Sequence, residues 1–166
     1  AVGDVIRGSV QLAHAASAQG VAAVEAIMGH TSVYFPHIIP SCIYTSPEVG
    51  SVGLSEAEAR QKGLDCKVGI FPLTGNGKSL IENSGVGMVK VLAGAKHGEV
   101  LGVHIFGPRA TDLIAEAALA IRLEATLDEL VSTIHPHPTV SEAMAEAALA
   151  VHGAAIHWPP GGAARR

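Results

Sequence analysis

The sequence has 166 residues, which is enough for one domain with a substantial core and a small attachment. Its net charge of -4 comes without a basic cluster, which argues against nucleic acid, and no apolar run approaches the roughly 20 residues that cross a bilayer. Charged residues make up only 16%, which indicates that another subunit or domain covers part of the surface.

The chain begins at Ala1 rather than Met and shows no signal peptide. We therefore expect a cytoplasmic protein whose sequence starts inside a gene product. Cys42 and Cys66 lie far apart and form no C-x-x-C pair or metal-ligand spacing, so both are expected to be reduced thiols.

The first 38 residues are predicted to form a turn, a helix and a connector. Apolar residues recur at mostly helical spacing up to Ile27, and Gly29 is a suitable C-cap. Pro36 and Pro40 then prevent regular structure, which places a domain boundary here. We assign 1–38 to an N-terminal segment, 39–157 to the main domain and 158–166 to a flexible tail.

From Cys42 the pattern predicts short strands over 42–45, 48–53, 66–73, 86–92 and 100–106. Residues 94–98 join the last two strands as a hairpin. The capping box Ser55-x-x-Glu58 opens a short helix that Gly63 closes. Residues 74–78 are expected to form a hairpin-like loop, because their glycines lack the spacing of a phosphate-binding loop.

The last third of the sequence is predicted to be helical. Residues 111–124 are apolar nearly all round, which indicates burial on several sides. The capping box Thr126-x-x-Glu129 opens a second helix, and 139–151 form the last one. Because strands precede helices without a repeating βα unit, we predict an α+β fold with an antiparallel sheet flanked by α-helices.

The segment 135–142, His-Pro-His-Pro-Thr-Val-Ser-Glu, holds the best candidates for chemistry. His137 lies in a rigid extended lead-in, and Glu142 lies five positions later in the first helical turn, so the carboxylate can fold back toward the imidazole. Such a pair fixes the tautomer and leaves the other ring nitrogen as a base. Alternatively, Glu142 only completes the capping box Thr139-x-x-Glu142 and the histidine occupies a turn.

Other candidate sites are weaker. His135 and His137 could share one side of an extended segment, but no third ligand has a suitable spacing, so no metal site is predicted. No G-x-G-x-x-G stands between a strand and a helix, so the chain carries no dinucleotide fingerprint. Asp4 precedes a helix, where an aspartate caps the helix or binds a sugar hydroxyl.

Together these motifs resemble the C-terminal third of the pyridine nucleotide-disulfide oxidoreductases. The matching segments are 1–4 with 12–16 and Gly20, 44–53 (Tyr-Thr-Ser-Pro-Glu-Val-Gly-Ser-Val-Gly), and 137–139 with Glu142. Within the family, the His-x-His-Pro-Thr-x-Ser-Glu pattern and the ending at 150–157 are most similar to the dihydrolipoyl dehydrogenases. Glutathione reductase and mercuric reductase relatives stay open as alternatives.

The resemblance implies the oxidation of protein-bound dihydrolipoamide with NAD through FAD. His137 would take a proton from the dithiol, and Glu142 would orient and stabilise its ring. The redox disulfide would belong to the other subunit of a homodimer, whose partner would be the lipoyl domain of a 2-oxo acid dehydrogenase or glycine cleavage complex.

The resemblance also implies that 1–38 end an FAD-binding domain and that 39–157 form the interface domain. Asp4 would hold the ribityl chain of the flavin, and the backbone of Leu12, Ala13 and His14 would approach its isoalloxazine ring. The stretch between Asp4 and His14 is one residue longer than in many members of the family.

The chain lacks the C-x-x-x-x-C redox pair and both glycine-rich nucleotide motifs of the family. Alone, it is therefore expected neither to turn over lipoamide nor to bind FAD tightly. A non-catalytic dimerisation module is the alternative interpretation of the same sequence.

Overall fold

The computed structural model describes residues 1–31 and 34–158, within which the chain forms five strands and six α-helices. The strands are β1 (Ser41–Ile43), β2 (Glu48–Gly53), β3 (Cys66–Pro72), β4 (Met88–Gly94) and β5 (Val100–Gly107). The helices are α1 (Ala13–Ile27), α2 (Glu56–Gln61), α3 (Gly77–Asn83), α4 (Ala110–Arg122), α5 (Leu127–Ser132) and α6 (Glu142–Ala150). Two short 3₁₀ turns cover Gly3–Val5 and Leu73–Gly75.

The strands form one antiparallel sheet in the order β1-β2-β5-β4-β3. This confirms the predicted α+β fold. β4 and β5 pair directly, with Val91 opposite Val103, so the hairpin predicted from 94–98 is also confirmed. Both valines are buried in the core.

Helices cover one face of the sheet. α4 packs on β2 and β5, α6 packs on β3 and β4, and α5 lies beside α6. Two glycines allow these layers to approach closely. A Cβ at Gly50 would collide with the carbonyl oxygen of Ala110 in α4, and one at Gly69 would collide with that of Ala147 in α6.

The opposite face of the sheet is partly covered by α2. Side chains alternate between the faces of a strand, so His104 points away from the buried Val103. Its Nε2 lies 3.1 Å from the carbonyl oxygen of Leu54, just before α2. Beside it on β4, Lys90 forms an ion pair with Glu56 of α2.

The prediction of a loop over 74–78 is wrong, because α3 begins at Gly77. Asn76 is the N-cap of α3, and its Oδ1 accepts from the Ser79 N–H at 2.8 Å. At the other end Ser84 and Gly85 both have positive φ, and their N–H groups bond back into the helix. These two caps define a helix where the apolar periodicity gave no signal.

The last helix begins at Glu142, three residues later than predicted. The Thr139 hydroxyl donates to the Pro136 carbonyl oxygen at 2.6 Å instead of capping the helix. Only half of the expected capping box is therefore present, namely the bond from the Thr139 N–H to the Glu142 carboxylate. The capping boxes at Ser55 and Thr126 are both complete, as predicted.

Apolar surface remains exposed on α1 and α4. The prediction that 111–124 are buried on several sides is wrong within this chain, since Leu119 and Leu123 are exposed. The side of α4 that faces the sheet is buried, whereas the side that carries Leu119 is open. A groove of about 630 Å³ separates α1 from α4, and its wall includes Val21 and Leu119.

The Arg122 guanidinium stacks 3.6 Å from the centre of the Phe35 ring and holds the connector to α4.

The C-terminal segment packs on the core as far as the structure describes it. Trp158, expected to begin a flexible tail, instead meets Phe71 edge-on, with ring centroids 6.3 Å apart. Residues 159–166 of the predicted tail lie outside the described residues.

Cys42 and Cys66 are free thiols, as predicted. Among the described residues, no helix has the length and apolarity that crossing a membrane requires.

Candidate active site

His137 lies on the loop that connects α5 to α6, and its side chain is 80% exposed. The loop nevertheless has several anchors. Val140 is buried in the core, and the Thr139 hydroxyl bonds both the Pro136 carbonyl oxygen and the Ser141 hydroxyl. A loop that is tied to itself and to the core presents an exposed ring from a fixed backbone.

Glu142, the first residue of α6, uses its two carboxylate oxygens for different partners. Oε1 lies 2.9 Å from Nδ1 of His137, and Oε2 accepts from the Thr139 N–H at 2.8 Å. The two interpretations of this segment are therefore compatible. Glu142 helps to order the start of the helix and also holds the imidazole.

The hydrogen bond to Glu142 determines which ring nitrogen of His137 carries the proton. A carboxylate only accepts hydrogen bonds, so Nδ1 must be the protonated nitrogen of the neutral ring. The lone pair of that tautomer is on Nε2. Because the ring is exposed, Nε2 is open to an external proton donor.

The environment of Glu142 favours its ionised form. Burial acts to raise the pKa of the carboxyl, but the Thr139 N–H and the His137 ring outweigh this effect. The pKa of Glu142 therefore lies below its ordinary value of 4.5. An ionised carboxylate beside the imidazole stabilises the imidazolium that forms when Nε2 takes up a proton.

A second histidine of the loop is fixed on α4. The His135 side chain is 7% exposed, and its Nε2 lies 2.8 Å from Oε1 of Glu116. No sequence pattern indicates Glu116 as the partner of His135, because the two residues are 19 positions apart and meet only through the packing of α4 against the loop. The described residues contain no cluster of three or more potential metal ligands.

A third pair of a glutamate and a histidine, Glu146 of α6 with His157, is also not indicated by any sequence pattern. Glu146, mostly buried, accepts from the N–H groups of Ile156 and His157 at 2.8 and 3.1 Å. Its other oxygen lies 2.7 Å from Nδ1 of His157. These bonds hold the C-terminal segment to the helix that carries Glu142.

The predicted flavin contacts lie at the other end of the chain. Asp4 is exposed in the 3₁₀ turn Gly3–Val5, which packs against α1. Leu12 is the N-cap of α1, and Ala13 and His14 are its first residues. His14 also bonds the Pro40 carbonyl oxygen at 2.7 Å. Within the described part of the chain, no hydrogen bond joins this group to His137 or Glu142.

The sequence matches a known family over most of its length. The profile of the pyridine nucleotide-disulphide oxidoreductase dimerisation domain matches residues 39–148. The dihydrolipoyl dehydrogenase of Bacillus subtilis strain 168 is 50% identical over 159 residues, which cover 95% of this chain and 33% of that protein. The dihydrolipoyl dehydrogenase of Haloferax volcanii is 44% identical over 157 residues, with coverages of 95% and 33%. The chain thus spans about a third of the curated relatives it matches.

Solved structures agree with the sequence comparison. LpdA from Mycobacterium tuberculosis has a TM-score of 0.83 at 26% identity, covering 89% of this chain and 32% of that one. The flavoprotein disulfide reductase RclA from Escherichia coli shares the fold, with a TM-score of 0.81 at 20% identity over 89% of this chain and 34% of its own.

Proposed function

The chain belongs to the pyridine nucleotide-disulphide oxidoreductases and contains their dimerisation domain, and from this we propose that the whole protein is a dihydrolipoyl dehydrogenase. It would oxidise protein-bound dihydrolipoamide with NAD. The 50% and 44% identical dihydrolipoyl dehydrogenases support this choice. The protein would act in the cytoplasm as a homodimer, with the lipoyl domain of a 2-oxo acid dehydrogenase or glycine cleavage complex as its partner.

The observation that carries the proposal is the hydrogen bond between His137 and Glu142, on a ring that stays exposed. Nε2 of His137 would accept the proton of a substrate thiol. The resulting thiolate is the form that attacks a disulfide sulfur. That disulfide would lie in the partner subunit, which suits a ring that faces away from its own core.

Glu142 would act by holding and charging the base. Its bond to Nδ1 keeps the lone pair on Nε2, and its negative charge stabilises the protonated ring. The pKa of Glu142 lies below its ordinary value of 4.5, so the carboxylate is ionised at neutral pH. A base held in this way typically contributes about 10²–10⁴-fold to a rate.

The N-terminal residues offer groups that suit a flavin. Asp4 presents an exposed carboxylate, which can accept hydrogen bonds from the hydroxyls of a ribityl chain. The Leu12 N–H donates to the Val10 carbonyl oxygen at 3.1 Å. The N–H groups of Ala13 and His14, the first residues of α1, have no partner inside the helix and can face an electronegative ring edge. When bound, FAD would supply the two-electron acceptor. Residues 1–38 would then end the FAD domain, and 39–157 would form the interface domain.

A chimera tests the proposal. This chain would replace the matching third of the Bacillus subtilis relative, and dihydrolipoamide oxidation would be followed by NADH formation. We expect activity in the chimera and a loss of about 10²–10⁴-fold in His137→Gln. His97→Gln, at an exposed residue in the β4–β5 turn, is the matched control and should keep full activity. Equal activity in the two variants would contradict the role of His137.

A non-catalytic dimerisation module is the second candidate. The exposed Leu119 of α4 and the exposed Leu123 just after that helix favour it, because an obligate interface buries apolar surface. Sedimentation of the chain alone measures this property. Dimerisation together with an inactive chimera would support the module, whereas an active chimera that depends on His137 would support the enzyme.

A further inference from the structure

Asn76 connects α3 to the loop that carries His137. The side chain is 5% exposed, so each of its polar atoms needs a partner within the protein. It lies in the Thr-Gly-Asn-Gly-Lys-Ser segment, which resembles a phosphate loop only superficially. The hydrogen bonds of Asn76 instead cap α3 and reach Thr139.

The orientation of the Asn76 amide follows from its partners. Oδ1 accepts from the Ser79 N–H at 2.8 Å and lies 2.9 Å from the Ser79 hydroxyl. A backbone N–H only donates, so the atom that faces it must be the amide oxygen. Nδ2 therefore points to the carbonyl oxygen of Thr139, at 2.9 Å.

Thr139 is thus held on both sides of its Cα. Its carbonyl oxygen accepts from Asn76, and its N–H donates to Oε2 of Glu142. The other oxygen of Glu142 holds His137. Hydrogen bonds on the two sides of the Thr139 backbone therefore connect the N-terminus of α3 to the imidazole ring.

We propose that Asn76 is a positioning residue for the base His137, an inference that rests on the proposed function. Nδ2 fixes the carbonyl group of Thr139 and thereby limits rotation about its Cα, so that the Thr139 N–H and the His137 ring meet the two oxygens of Glu142 together. On the other side of His137, the bond between His135 and Glu116 fixes the loop to α4. The loop is thus anchored on both sides of His137, by Glu116 through His135 and by Asn76 through Thr139.

The simpler explanation is that Asn76 only caps α3. Asn76→Ser separates the two roles, because serine keeps a capping oxygen but has no amide donor that reaches Thr139. Asn76→Asp also keeps a capping oxygen and removes the amide donor, with a side chain close in size to asparagine. Ser79→Ala is the matched control, since it removes the hydroxyl bond to the same amide and leaves Nδ2 in place.

The first measurement is NMR of the full chain with ¹⁵N-labelled histidine. In the parent chain, long-range ¹H–¹⁵N correlations should show the His137 tautomer with the proton on Nδ1. Asn76→Ser and Asn76→Asp should both give mixed tautomers, as for the unanchored ring of His97, whereas Ser79→Ala should match the parent. In the chimera, kcat/KM should fall about 10–100-fold for the Asn76 variants only.

Two results would overturn the inference. One is an unchanged His137 tautomer in a folded Asn76 variant. The other is a change of His137 that occurs only when both Asn76 variants unfold, which would leave Asn76 a purely structural residue. Failure of the proposed function has a separate signature, namely full activity of His137→Gln in the chimera, and the tautomer measurement does not depend on it.

Discussion

Glu142 and Glu146 lie one turn apart on α6, and each carboxylate binds Nδ1 of a histidine from a different segment, at 2.9 and 2.7 Å. The first bond holds a loop and the second holds the C-terminal segment. The two sites differ in burial, because the Glu146 side chain is much less exposed than that of Glu142. The two carboxylates should therefore respond differently to the same isosteric substitution.

Glu146→Gln is expected to release the C-terminal segment. The amide cannot accept all three N–H groups that the carboxylate binds, and the cost should be about 1–3 kcal/mol. Trp158 is the one tryptophan of the sequence, so its fluorescence reports the change directly. We expect a red-shifted emission. Glu124→Gln, at an exposed residue, is the control, and an unchanged spectrum for Glu146→Gln would contradict the prediction.

Glu142→Gln should lower stability by about 1 kcal/mol near neutral pH. The pKa of Glu142 is lower in the folded chain than its ordinary value of 4.5, so the ionised group stabilises the fold above that value. This contribution is lost as the pH falls through the lower, folded pKa. The gap between parent and variant should therefore shrink in acid.

Denaturant unfolding at several pH values measures this gap. Glu58 and Glu129 also have lowered pKa values, because they accept hydrogen bonds from Ser55 and Thr126. Both are present in the two proteins, so their effects cancel in the comparison. A gap between parent and variant that does not change with pH would rule out the linkage at Glu142.

Gly69→Ala should destabilise the chain by about 2–4 kcal/mol. The new Cβ would collide with the Ala147 carbonyl oxygen, and backbone cannot move aside as a flexible side chain does. Gly77→Ala is the matched control, because a Cβ there meets nothing within 4 Å and the residue is helical. It should change stability by less than about 1 kcal/mol. Thermal unfolding compares them, and equal midpoints would disprove the close approach of α6 to β3.

The chain alone should not bind FAD tightly. Asp4 and the start of α1 are exposed, and the sequence has no glycine-rich nucleotide motif to complete a pocket. FAD fluorescence during titration with the purified chain tests this expectation, with the chimera as the positive control. A yellow preparation of the chain would show the prediction to be wrong.

Local sequence signals predicted the elements that depend on neighbouring residues. β2 has the predicted bounds, Glu48–Gly53, and both complete capping boxes were visible as a hydroxyl residue followed three positions later by glutamate. The bond between His137 and Glu142 also follows from local spacing. What this bond does stays a prediction.

Contacts between distant segments explain what the sequence did not predict. α3 depends on Asn76, whose second bond reaches Thr139 across 63 positions. Glu116 and His135 meet only once α4 and the loop are packed. The pattern of residues 111–124 did indicate an apolar helix, but it could not show that this chain leaves Leu119 and Leu123 exposed.

The exposed but tethered ring of His137 has a consequence for assembly. Its orientation is set by a hydrogen bond within the same polypeptide. A surface that later approaches the ring meets a preorganised group, so little further side-chain entropy is lost on association. Recognition of that surface can then depend on shape and chemistry without also having to order the base.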